Sequence, residues 1–209
     1  MKKIFVFTLV TALALCAADV YPAEPNKKAQ EANRLAREGA DAAKNQDWDK
    51  AVELLRKATN LEHKYADELA AVYQGRGYAA AKNQQFQEAV QDFTEALKIK
   101  SNDPRIYEQR AAAEMKVYDY DKALADYSEA SKLKPNEVRY YNYRAYIYET
   151  KEDTQNSMAE TDKALKIDPN NQEAKERKQR LERKQAEKMP TPPPTTPAPK
   201  KSPPAKKRP

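Results

Sequence analysis

The sequence predicts an all-α fold, an α-solenoid of stacked helix-turn-helix hairpins. An export leader precedes it, and a charged helix with a proline-rich tail follows. Three observations carry this prediction. Of 209 residues 33% are charged and only three are glycine, which suits amphipathic helices and suits sheets poorly. Pairs of alanines seven residues apart recur along the chain at a period of 34. Nine of the fourteen prolines lie in the last twenty residues, so most of the chain is free of helix breakers.

Residues 1–18 read as an export leader. "MKK" is a basic start, "IFVFTLVTALAL" a short apolar run, and "CAADVYPA" a small-residue exit with Cys16 and Ala18 at the −3 and −1 places of a cut before Asp19. The apolar run falls short of the ~20 residues a spanning helix needs, so the mature chain is expected to lack a transmembrane helix. A second reading takes "LALC" as a lipoprotein cut that leaves Cys16 lipidated. Leu15 opposes it, since bulk beside the cut is disfavoured. Cys16 is the chain's one cysteine, so after the ordinary cut neither disulfides nor thiol chemistry remain. The location that follows is the periplasm or cell envelope. Residues 19–31 form a linker and the start of the first helix.

Four hairpin units follow, at 32–65, 70–103, 104–137 and 138–171. The second halves align as "WDKAVELLRKATNLEHKY", "FQEAVQDFTEALKIKSND", "YDKALADYSEASKLKPNE" and "TQNSMAETDKALKIDPNN". Ala51/Ala58, Ala89/Ala96 and Ala123/Ala130 superpose, and Ala164 continues the series. The first halves share Tyr-x-x-Arg-small, as in "YQGRGYAAAKNQQ", "YEQRAAAEMKVYD" and "YNYRAYIYETKED". An aromatic and a small residue four apart lie on one helical face: Tyr73 with Gly77, Tyr107 with Ala111, Tyr141 with Ala145. The small member lets the partner helix approach, while Leu55, Phe93 and Tyr127 fill the space between the alanines. Pro135 and Pro169 end their hairpins. Four extra residues between the first two units predict a lengthened helix through "YADELAAVYQGRGYAAAKN".

These residues resemble the tetratricopeptide repeat (TPR) family, whose 34-residue unit has this order of aromatic, small residue, aromatic, alanines and proline. The resemblance covers residues 32 to 171. The first unit departs with His63 in place of proline, and the fourth with Thr154, Ser157 and Thr161 where aromatic and alanine belong, as befits terminal units that face water on one side. It implies a right-handed superhelix whose first helices line a concave groove for extended or helical peptides of a partner protein. On the family's groove-facing places stand Arg37, Gln74, Tyr78, Arg105, Gln109, Arg139, Asn142, Tyr143 and Tyr146. Of these, Arg105, Arg139, Tyr143 and Tyr146 make a hot spot, unless the two arginines serve only to solvate the first turns of their helices. Chaperone-binding members clamp a C-terminal carboxylate with lysines and asparagines. Here Gln74, Tyr78, Gln109 and Tyr143 hold four of those five places and only Arg139 fits, which sets that subclass aside.

Other conspicuous residues read as structural. His63 is the only histidine and has no ligand or nucleophile spaced to join it. Trp48 occupies an aromatic packing place. Arg76, Arg110 and Arg144 recur in register with Asp92, Asp126 and Glu160, predicting an ion pair between the helices of each unit. Phosphate loops, metal-ligand spacings and serine elbows are missing, so an enzyme, cofactor or metal is not expected.

Residues 172–189 read as a solvated, charged helix with a lone Leu181, and 190–209, "PTPPPTTPAPKKSPPAKKRP", as a disordered tail that reaches roughly 60 Å when extended at ~3.1 Å per residue. Charge divides accordingly. The chain is +6 overall, residues 171–209 carry +8, the leader lysines add +2, and 4–170 are left at −4. Two functions are consistent with this: an envelope scaffold whose groove holds a partner peptide, or a module tethered by its basic tail to an anionic polymer or membrane surface. The tail also reads as a plain spacer. Export and the acidic body disfavour a specific nucleic-acid partner.

Overall fold

A computed structural model describes residues 27–188. The leader, Cys16 and the tail lie outside them, as does part of the linker. Among the described residues there are nine α-helices and no strand: α1 (Lys27–Lys44), α2 (Trp48–Leu61), α3 (Ala66–Lys82), α4 (Phe86–Ile99), α5 (Pro104–Lys116), α6 (Tyr120–Leu133), α7 (Val138–Thr150), α8 (Thr154–Ile167) and α9 (Gln172–Lys188). Each odd helix pairs with the next even one, and each hairpin stacks on its neighbour. The four extra residues lengthen α3 to 17 residues against 13 for α5 and α7, and a single 3₁₀ turn, His63–Tyr65, precedes it.

The hairpin turns repeat one backbone device. Gln46, Gln84, Tyr118 and Glu152 all stand in the left-handed region, at φ 60, 63, 62 and 60°. The next residue's N–H reaches back to a carbonyl of the preceding helix, Asp119 to Glu114 at 2.9 Å and Asp153 to Tyr148 at 2.9 Å, closing a Schellman turn. That next residue also starts the second helix, where Asp119 and Asp153 cap it by accepting from the N–H of Lys122 and Asn156. One short turn therefore ends a helix and begins its antiparallel partner.

Packing follows the small residues. Ala51, Ala58, Ala89, Ala96, Ala111, Ala123, Ala130, Ala145 and Ala164 are wholly buried, and Leu55, Phe93 and Tyr127 are the large side chains between them. At Gly77 a Cβ would sit 3.0 Å from the Phe93 ring and 3.1 Å from Asp92 Cβ, so α3 and α4 meet closer there than alanine comfortably allows. In the last unit two of the departures, Ser157 and Thr161, are buried and satisfied. Ser157 donates to the Ala145 carbonyl at 2.8 Å across the hairpin, and Thr161 to Ser157 O at 2.8 Å.

The expected ion pairs form. Arg76 reaches Asp92 at 2.7 Å, Arg110 reaches Asp126 at 2.6 and 2.7 Å, and Arg144 reaches Glu160 at 3.0 Å. Two of these arginines extend further, to the preceding unit: Arg76 to Asp49 at 2.7 Å and Arg110 to Thr94 at 3.0 Å. The arginine ladder thus ties helices within units and ties units together.

α9 corrects one expectation. It is charged and largely exposed, yet Ala174, Arg177 and Leu181 are buried against the last hairpin. Arg180 forks onto Glu149 at 2.7 and 2.8 Å. The helix is a cap that covers the open end of the stack, as terminal elements of solenoids must.

Candidate peptide-binding groove

Cross-repeat side-chain bonds show which layer lies inside the curve. Gln74 donates to Gln109 at 2.6 Å (α3 to α5), Arg139 to Glu108 at 2.8 Å (α7 to α5), and Asn142 to Glu173 at 3.2 Å (α7 to α9). Among the described residues no comparable bond links one even helix to the next. The odd helices are the more closely set layer, and a layer that is closely set along a stack is its concave side.

Two hollows open between successive odd helices. The first, about 230 Å³, lies between α3 and α5 and is lined by Tyr78, Phe86, Phe93, Gln109 and Ala112, with Lys116 at its edge. The second, about 460 Å³, lies between α5 and α7 and is lined by Met115, Tyr118, Tyr120, Tyr127, Tyr143 and Tyr146, with Ala112 and Lys116 shared. Their linings are related by the repeat: Phe86 and Phe93 shifted by 34 become Tyr120 and Tyr127, while Gln109 and Ala112 become Tyr143 and Tyr146. One hollow is therefore the other translated by a unit, with more tyrosine. In it the Tyr127 and Tyr143 rings stack with centroids 4.8 Å apart and planes at 17°, and Tyr118 meets Tyr120 edge-on at 6.3 Å. Burial, and then the nearby Tyr143, push the Tyr127 hydroxyl well above the usual tyrosine range, so it stays protonated.

The sequence-derived residues separate into three groups. Tyr78, Gln109, Tyr143 and Tyr146 line the hollows, with Tyr78, Tyr143 and Tyr146 exposed at 61, 39 and 47%. Gln74 is half-buried in its bond to Gln109, and Arg37 is exposed on α1, one unit before the hollows. The remaining three are committed elsewhere. Arg105 folds back on its own helix cap, Asp103, at 2.8 and 3.1 Å, and holds that carboxyl below the usual range. Arg139 bridges Glu137 and Glu108. Asn142 is buried, donating to Asn171 at 3.0 Å and to Glu173, because α9 occupies the place a further odd helix would take. It is not part of the open surface.

Met115, Lys116, Tyr118 and Tyr120 escape a reading by family position, since they come from the ends of α5 and α6 and from the turn between them. The signal was the run "YDYD", residues 118 to 121, which puts two aromatics beside a turn already rich in tyrosine from α7.

Models of the tetratricopeptide repeat match residues 70–103 and 109–172. The chain is a tetratricopeptide repeat protein. Among solved structures the TPR chain is similar to the Arabidopsis OM64 TPR domain, at 29% identity and a TM-score of 0.52 over 56% of this chain and 98% of that one. It is also similar in fold to the second TPR domain of human RPAP3, solved with the HSP70 peptide SGPTIEEVD (17% identity, TM-score 0.51, 56% of this chain and 98% of that one). A third is the Yersinia enterocolitica secretion chaperone SycD in complex with a peptide of the translocator YopD (15% identity, TM-score 0.51, 54% of this chain and 92% of that one). No curated protein matches the chain by sequence.

Proposed function

We propose that the chain is a non-enzymatic scaffold of the periplasm or cell envelope that holds a partner's peptide or helix in its concave groove. The observation that carries the reading is the pair of repeat-related hollows, which leave Tyr78, Tyr143 and Tyr146 exposed on the inner layer while the alanine seams are sealed. Large amphipathic side chains held rigidly on helices, with a hydroxyl at the tip of an apolar body, are efficient anchors for peptides. The TPR fold is an interaction module, and two fold neighbours are seen with peptides in complex. The lysine and asparagine clamp for a terminal carboxylate has no counterpart in Gln74, Tyr78, Gln109 and Tyr143, so internal segments are the favoured ligands over free C-termini.

The test is a peptide array probed with the chain lacking its leader. Peptides that bind the native protein and lose about tenfold in affinity with Tyr143→Ala/Tyr146→Ala, the variant being fully folded by circular dichroism at the assay temperature, support the groove; losing one or two aromatic anchors is worth about that much. Binding that survives this variant and vanishes on deletion of 190–209, with steep salt dependence, would transfer the function to the basic tail.

A further inference from the structure

The hollow between α5 and α7 is unusual in its chemistry. Five tyrosines, 118, 120, 127, 143 and 146, line it with Met115, and Lys116 joins them without an ion pair among the described residues. It offers aromatic faces together with hydroxyl and ammonium donors, and no carboxylate lines it. A suitable occupant is apolar in its rings, rich in carbonyl acceptors, poor in N–H donors and without positive charge. Proline-rich segments have this composition, because proline keeps its carbonyl and lacks the N–H, and aromatic-lined grooves are the usual docking surface for them.

Such a segment belongs to the chain itself. Residues 190–199, "PTPPPTTPAP", contain six prolines and no charge, and the five basic residues begin only at Lys200. The end of α9 is well placed to deliver them. Lys184 and Glu187 stand against Glu149, Glu152 and Thr154, at the α7–α8 turn. Glu152 and Tyr118 are equivalent left-handed residues of adjacent hairpins, so α9 ends on the same side of the stack as the tyrosines. α9 and α5 flank α7 in the inner layer. At ~10 Å per packed helix the hollow is ~20 Å away, which about seven extended residues span. Counted from Lys188 at ~3.1 Å per residue, Pro192 to Pro197 would lie ~12 to ~28 Å out, a span that brackets this distance.

We propose that residues 190–199 of the same chain dock in the tyrosine-lined hollow between α5 and α7, with proline rings on Tyr143 and Tyr146 and carbonyls toward Lys116 and the tyrosine hydroxyls. This rests on the groove being a peptide site, and it adds a regulator: the tail competes with a partner for the tyrosine end. A tethered segment is at millimolar effective concentration, so contacts that are weak between molecules are populated within one.

The experiment places p-benzoylphenylalanine at Tyr146 in the chain that retains 190–209, irradiates at low micromolar concentration, and maps adducts by mass spectrometry. The expected adduct joins position 146 to 190–199 within a monomer. Changing Pro192, Pro193, Pro194 and Pro197 together to Ser should lower its yield roughly tenfold, since the aromatic contacts that hold the segment are then lost. No tail adduct, an adduct of equal yield from the four-serine variant, or an adduct found only between two copies would overturn the proposal. The array experiment is scored separately on a chain lacking 190–209, so a groove that still binds peptides there while Tyr146 yields no tail adduct refutes only this inference.

Discussion

Arg110→Ala is the perturbation whose consequence can be worked furthest from the structure. The guanidinium is 20% exposed and makes two charge-assisted bonds to Asp126 at 2.6 and 2.7 Å, a third bond to Thr94 Oγ1 at 3.0 Å, and lies 3.9 Å from Glu114. Asp126 and Glu114 are 4 and 3% exposed. Removing the cation strands two carboxylates in one buried place and cuts one of the bonds between the second and third units. Breaking a fully buried pair from one side costs about 3–5 kcal/mol; the arginine's partial exposure admits water, which brings the expected loss to about 2–4 kcal/mol. The assay is urea unfolding at pH 7.5 followed by helical circular dichroism. Arg110→Met with Asp126→Leu should recover most of the loss, because the penalty lies in the stranded charge and not in the absence of a pair. A single variant that loses under about 0.5 kcal/mol, the range of ordinary surface substitutions, would refute the reasoning, as would a double variant as unstable as the single one.

Three further outcomes follow from the same packing. Burial, and then the negative charge of Asp126, raise the Glu114 carboxyl from its ordinary 4.5 to about 7. The native chain thus keeps a proton that the unfolded chain loses between pH 4.5 and 7, so this group's contribution to stability is full below 4.5 and declines as pH rises through 7. Glu114→Gln should abolish that decline and stabilise the protein at pH 8 by about 2–3 kcal/mol in the pH series of unfolding curves; an unchanged pH profile would contradict it. Tyr118 is 78% exposed and held at φ 62°, so Tyr118→Gly should raise stability by about 1 kcal/mol, seen as a higher urea midpoint, whereas destabilisation would mean that the ring contributes packing. Leu181→Ala should cost about 2–4 kcal/mol and expose the last hairpin to hydrogen exchange before the first three; a neutral result would show α9 to be the freely solvated helix its composition suggests.

Most of the fold was legible because the signals that specify it are local and repeated. The seven-residue alanine spacing encodes close helix approach wherever it occurs, and the arginine-to-acid register of 16 residues encodes a bond across each of the last three hairpins. Four inserted residues could only lengthen a helix or add a turn, and they did both, in α3 and at His63–Tyr65. The groove was less legible. Family position locates Tyr78, Gln109, Tyr143 and Tyr146, but it says nothing of competing partners. Arg105 is claimed by Asp103 two residues away and Arg139 by Glu137 and Glu108. Asn142 was lost to the groove for a non-local reason: a helix of mean composition far too polar to suggest burial anchors itself through Ala174, Arg177 and Leu181, and covers it. Tyr118 in the turn and Tyr120 at the start of α6 join the site through tertiary proximity to α7, which no spacing within one unit reports.

The most direct test of recognition by the inner layer compares two exposed surfaces in one titration. A peptide selected on the native chain is measured by calorimetry against Tyr143→Ala/Tyr146→Ala on the inner helices and against Lys98→Ala/Glu129→Ala on the outer ones, whose side chains are 64 and 47% exposed. Recognition by the tyrosine hollow predicts a loss of about tenfold or more for the inner variant and native affinity for the outer one, both fully folded by helical circular dichroism at the titration temperature. Native affinity in the inner variant, or an equal loss in both, would contradict it.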